Sequence, residues 1–141
     1  MKNPPLGLVH QATLAIDETL VVPRLPKALA AMADMPPVFA TAYMVAFVEA
    51  SCIEALAPYL DAGEGTVGTH IAMSHLAATP IGMTVTAHIE LIAAEGRKLT
   101  FRAICRDEKD VIGEGQHERF VINRESFTAR AEAKLKEVRN G

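Results

Sequence analysis

The sequence predicts an α+β fold in which five antiparallel strands wrap around one long apolar helix, with a second helix at the C-terminus. Three observations carry this. A single strand-like segment comes early, at Leu8 to Ile16. An uncharged stretch from Met35 to Val48 then opens a run whose apolar residues recur at helical spacing. After the glycines of "DAGEG", four consecutive segments alternate with a period of two.

Each element follows from its residues. "LVHQATLAI" alternates loosely and reads as the first strand, and "DETLVVPRLPKAL", punctuated by Pro23 and Pro26, as an irregular lead-in. Met44, Phe47, Val48, Ser51, Cys52, Ala55 and Leu56 fall at helical spacing, and nearly everything between them is apolar. This helix should therefore be enclosed on most sides. Pro58 and "DAGEG" end it. "TVGTHIAMSHLAATP", "GMTVTAHIELIAAEG", "RKLTFRAICRDEKD" and "VIGEGQHERFVIN" read as strands, the last two breaks being antiparallel hairpins. "SFTARAEAKLKEV" closes as an amphipathic helix with Phe127, Ala131 and Leu135 on one stripe. A sheet curled around a helix with almost no polar face is the arrangement called the hotdog fold. The length, 141 residues, fits one such domain spanning 1–141.

Composition narrows the function classes. With 14 Lys+Arg against 17 Asp+Glu, and no basic stripe interleaved with aromatics, nucleic-acid binding is not expected. The uncharged stretch is shorter than the ~20 residues of a bilayer span, so no membrane insertion is expected. The N-terminal "MKNPPLGLVHQ" lacks the apolar core of a secretory signal. Cys52 and Cys105 lie in apolar surroundings without C-x-x-C spacing and read as buried, reduced thiols of a cytoplasmic protein. No H-E-x-x-H, Cys/His cluster or phosphate loop is present, so neither a metal nor a cofactor is expected.

Glu49 is the first candidate for chemistry, because a carboxylate in so apolar a segment is costly unless partners or water reach it. It either lines a pocket, lies on the one wet edge of the helix, or pairs with an arginine. Glu54, turned about 140° from it, is assigned to solvent. Thr41 stands near the predicted helix start as a cap or a site residue. In one regular helix Thr41 and Glu49 would lie ~12 Å apart along the axis. A shared site therefore needs either a curled-back Thr41 or a pocket built from two subunits. His75 falls in a strand pattern with Thr69, Ile71 and Met73, as a core or rim residue or an acid/base.

Taken together, "VFAT", the run "H-x-A-A-T-P-x-G-x-T-V" from His75, and "G-x-G-x-H-E-R" from Gly113 resemble the fluoroacetyl-CoA thioesterase family of hotdog enzymes. The resemblance spans about Pro36 to Ile122. It implies that Thr41, Glu49 and His75 form the catalytic set, and that Gly68 and Arg119 contact substrate or water. It also implies a homodimer acting on an acyl-CoA, with CoA part of the substrate. The family's phenylalanine lid aligns here with Met35, a flexible side chain that closes a pocket differently. The expected activity is hydrolysis of a short acyl-CoA, with Glu49 as nucleophile or base, His75 as acid/base and Thr41 as orienting donor. The alternatives are a non-catalytic module binding acyl-CoA or another small ligand, a hotdog hydratase, and a purely structural homodimer.

Overall fold

The computed structural model describes residues 1–141. Its elements run β1 (Val9–Ala15), α1 (Thr41–Leu56), β2 (Glu64–Met73), β3 (Thr84–Glu95), β4 (Lys98–Arg106), β5 (Val111–Asn123) and α2 (Arg124–Asn140), with short 3-10 turns between β1 and α1 and after α1. The sheet order is β1-β3-β4-β5-β2, antiparallel throughout. The chain thus leaves one sheet edge, crosses the concave face as α1, and returns as the opposite edge.

The seven positions picked out by helical spacing are the seven that α1 buries. They pack against Ile89, Leu91, Leu99, Phe101, Ala103 and Val121 of the sheet. The Ser51 hydroxyl is buried without penalty because it donates to the Phe47 carbonyl at 2.8 Å. Ala40 occupies the N-cap and offers no side-chain bond. A good cap contributes ~1 kcal/mol, whereas full burial of a Met, Phe or Val contributes ~1.5–3 kcal/mol each, so packing fixes where this helix begins.

The helix is less enclosed than its composition suggests. Ala42, Ala46, Ala50 and Ile53 form an exposed face, made of residues small or apolar enough to look like core in the sequence. The stripe Phe127, Ala131, Leu135 exists on α2, but it faces solvent along its whole length.

Both expected hairpins form. Gly96, at φ 62°, makes the β3–β4 turn, and the Asp107 carboxylate accepts from the amides of Lys109 and Asp110 to shape the β4–β5 turn. One strand is shorter than its pattern. β2 stops at Met73, so His75 sits in an extended loop and not in a strand. That loop is drawn against β5 by bonds from Ser74 N–H to the Glu114 carbonyl and from Leu76 N–H to the Ile112 carbonyl. The approach requires both glycines of "GEG", since a Cβ on Gly113 would strike the Ser74 carbonyl and one on Gly115 the Ala72 carbonyl. No helix is long and apolar enough to cross a membrane.

Candidate active site

Two polar constellations flank α1. The first lies at its N-terminus. Thr41 is the first residue of the helix and not its cap, and its Oγ1 shares a 2.7 Å hydrogen bond with His75 Nδ1. The Phe39 ring stands edge-on to the imidazole at 6.3 Å. His75 Nε2 is buried and has no protein partner. Burial pushes the pKa of this ring below its ordinary value, which keeps it neutral near pH 7.

A cleft of about 310 Å³ beside this pair is lined largely by Val22, Val38, Phe39 and Leu76. A second, of about 280 Å³, adjoins Thr41 on its other side and is walled by Val22, Leu25, Met32, Met35 and Val38. Met35 is 47% exposed at its rim.

The second constellation centres on Glu49, two helical turns further on. Its side chain is 37% exposed, so it occupies the helix's wet edge, and it also pairs with an arginine. Both of the plain alternatives for this carboxylate hold, and it lines a cleft as well. That cleft, about 480 Å³, is formed by Glu49, Gly68, Thr69, His70, Ile71 and His117.

Arg119 is almost wholly buried, and its Nη1 donates to Glu49 Oε1 at 2.9 Å. Thr66 fixes the guanidinium from behind: its Oγ1 accepts from Nε and its carbonyl from Nη2, each at 2.8 Å. Gly68 stands directly across the ladder from Arg119, where the register slips between Gly68 and His70. A side chain here would block the site, because a Cβ would lie 2.5 Å from Glu49 Oε1.

His117 completes this group. It is buried, its Nδ1 lies 2.7 Å from the His70 carbonyl, and Arg119 Nη1 donates to its Nε2 at 3.1 Å. Burial is the main cause of a pKa below the ordinary value, and the Arg119 charge adds to it.

Neither His117 nor Thr66 stands out as a site residue in the sequence. The signal was available, since period two places His117 and Arg119 on one face of β5, as it does Thr66 and Gly68 on β2.

The structure therefore brings Thr41 to His75, and Glu49 to Gly68 and Arg119, but does not join the two sets within one chain. Thr41 does not curl back, because α1 is continuous from it to Leu56. The two cysteines lie buried, with thiols raised by burial to about 12 for Cys52 and about 11 for Cys105, which leaves them unreactive as nucleophiles.

A family model described as fluoroacetyl-CoA-specific thioesterase matches residues 26–125. A fluoroacetyl-CoA thioesterase from Streptantibioticus cattleyicolor is 50% identical over 102 residues, covering 72% of this chain and 73% of that protein. The solved fluoroacetyl-CoA thioesterase FlK superposes with a TM-score of 0.91 and 41% identity, over 94% of this chain and 98% of its own. That enzyme was also solved as threonine mutants with fluoroacetate or acetyl-CoA, and as a phenylalanine mutant with fluoroacetate and CoA. A thioesterase superfamily member from Thermus thermophilus shares the fold, with a TM-score of 0.88 at 23% identity over 100% of both chains.

The fold and site define a hotdog thioesterase. The chain belongs to the fluoroacetyl-CoA-specific thioesterase family.

Proposed function

We propose that the protein is a cytoplasmic homodimer that hydrolyses a short acyl-CoA to the free acid and CoA, at a site assembled from both subunits and without a further cofactor. The observation that carries this reading is the division of the site. Thr41, bonded to His75, and Glu49, bonded to Arg119, sit about two turns apart on one continuous helix, ~12 Å along its axis, too far to act on one carbonyl. Each set lacks what the other has, and a two-fold partner supplies it. The exposed Ala42, Ala46, Ala50 and Ile53 face of α1 and the open edge of β2 are the surfaces such a partner would cover.

The chemistry follows from the groups. A thioester carbonyl lacks amide resonance, so a carboxylate either attacks it, giving a mixed anhydride and CoA thiolate, or activates a water to do so. Glu49 is that carboxylate. Its polar contacts go through Oε1, to Arg119 at 2.9 Å and towards His117 at 3.9 Å, which leaves Oε2 to meet the carbonyl carbon or a water. Arg119 fixes it in place.

Across the interface, His75 works in two protonation states. With Nδ1–H donated to Thr41, the hydroxyl proton of Thr41 points to the thioester oxygen and the bare Nε2 is a base that takes the proton of the attacking water. The imidazolium so formed gives that proton from Nε2 to the leaving thiolate. The uncapped amides at the start of α1 add to the stabilisation of negative charge on that oxygen.

Met35 sets the acyl group. In FlK the mutated phenylalanine precedes the mutated threonine by six positions, the spacing of Met35 and Thr41 here. The wall of Met32, Met35, Leu25 and Val22 is flexible and free of rings, so it accepts short acyl groups without demanding fluorine.

Thiol release from acetyl-, fluoroacetyl-, propionyl- and longer acyl-CoAs, with Glu49→Ala in parallel, tests the proposal. Turnover lost in the variant is expected. Turnover on none of them would favour an acyl-CoA-binding module.

A further inference from the structure

The buried imidazole of His117 has one protonation state that fits its surroundings. Its Nδ1 faces the His70 carbonyl at 2.7 Å, so that nitrogen must carry a proton. Its Nε2 faces an N–H of Arg119 at 3.1 Å, so that nitrogen must be an acceptor. Only the neutral Nδ1–H tautomer satisfies both. Arg119 Nη1 has two hydrogens, one directed at Glu49 Oε1 and the other at this acceptor. The nitrogen is thus aligned from two sides, and the ring is one of them.

We propose that His117 is a positioning residue for Glu49: its neutral ring aims the Arg119 guanidinium, and protonation of that ring at acid pH pulls the carboxylate out of its working orientation. The kinetic side of this inference rests on the thioesterase reading, while the geometric side stands without it. The neighbours of the ring in adjacent strands, Ile71 of β2 and Phe101 of β4, are apolar. The titratable and charged groups that face it are Glu49 from α1, Arg119 from its own strand and His70 across the bulge. An imidazolium would set Nε2–H against the Arg119 N–H, donor against donor. The anion within its reach is Glu49 Oε1, 3.9 Å from Nε2. Glu49 then exchanges a fixed guanidinium for an imidazolium deeper in the cleft, and its attack geometry is lost.

Two measurements on the full-length chain test this. Histidine-selective 15N NMR of the wild-type protein reads the ring without any catalysis. A protonated Nδ1 and an unprotonated Nε2 at neutral pH are expected, and an Nε2–H tautomer or a charged ring overturns the proposal. The second is the pH dependence of kcat and KM for His117→Gln and His117→Leu. A glutamine amide can donate to the His70 carbonyl and accept from Arg119 but cannot titrate. His117→Gln should exceed His117→Leu in kcat by about tenfold at neutral pH, with a smaller difference in KM, and should lose part of the wild-type acid limb. Equal kcat in the two variants, or an acid limb unchanged in His117→Gln, would sink it. A wild-type protein that turns over no thioester would count against the thioesterase reading instead, and the NMR result would still decide the ring.

Discussion

Gly68 and Glu49 touch: a Cβ built on the glycine would lie 2.5 Å from the carboxylate Oε1, and 3.4 Å from Arg119 Nη1. The glycine is there for clearance, since its φ is not in the left-handed region. Gly68→Ala should therefore fold normally, and lower kcat by about 10- to 100-fold by pushing Glu49 off its line of attack. Steady-state kinetics with a circular dichroism control checks this. Wild-type kcat in the alanine variant would show that Glu49 has slack.

Much of this was legible in the sequence, for physical reasons that differ between elements. The burial of α1 could be read residue by residue because side-chain burial obeys a fixed 3.6-residue period. The loop at His75 could not, because Ser74 and Leu76 still donate to β5 at alternate positions and so preserve the alternation of a strand. Glu49 stood out as a charge among apolar residues. Period two already puts Arg119 and His117 on one face of β5, but which residues they meet on β2 is set by cross-strand register, which places Gly68 opposite Arg119. The exposed side of α1 was hidden because alanine at an exposed position reads the same as alanine in a core.

If the site is shared between subunits, Thr41→Ala and Glu49→Ala should complement. Each variant alone loses most of its kcat, with Thr41→Ser retaining more than Thr41→Ala. When the two inactive variants are mixed and allowed to exchange subunits, half the dimers are mixed and each holds one intact site, so about a quarter of wild-type activity returns. Activity assayed before and after denaturation and refolding of the mixture reads this. No recovery would mean that Thr41 and Glu49 of one chain serve the same site.

Met35 borders the apolar cleft beside Thr41, with Met32 in the same wall. Met35→Phe replaces a flexible thioether chain with a rigid ring, so discrimination among acyl groups should sharpen. We expect kcat/KM for butyryl-CoA to fall by about tenfold while that for fluoroacetyl- and acetyl-CoA changes by less than about threefold. A uniform change across all chain lengths would mean that residue 35 does not contact the acyl group.

Stability should fall on mild acidification, and the sign can be worked out from two rings. His75 and His117 are both held below the ordinary value of 6.5, burial being the first cause for each. The unfolded chain, whose imidazoles titrate near 6.5, therefore binds more protons than the native one as pH drops below that value. Their contribution is fully present above about pH 6.5 and is lost as pH falls through the lowered native values. The carboxylates of Asp17, Asp107 and Glu64 are themselves lowered, Glu64 to about 2, so their losses come at more acid pH. Thermal unfolding between about pH 7 and pH 5 isolates the two histidines, and Tm should decline across that interval in the wild-type protein. His117→Gln and His75→Asn should each flatten the decline, and the double variant should nearly abolish it. A Tm that rises on acidification, or a slope unchanged in both variants, would mean that neither ring is held neutral by the fold.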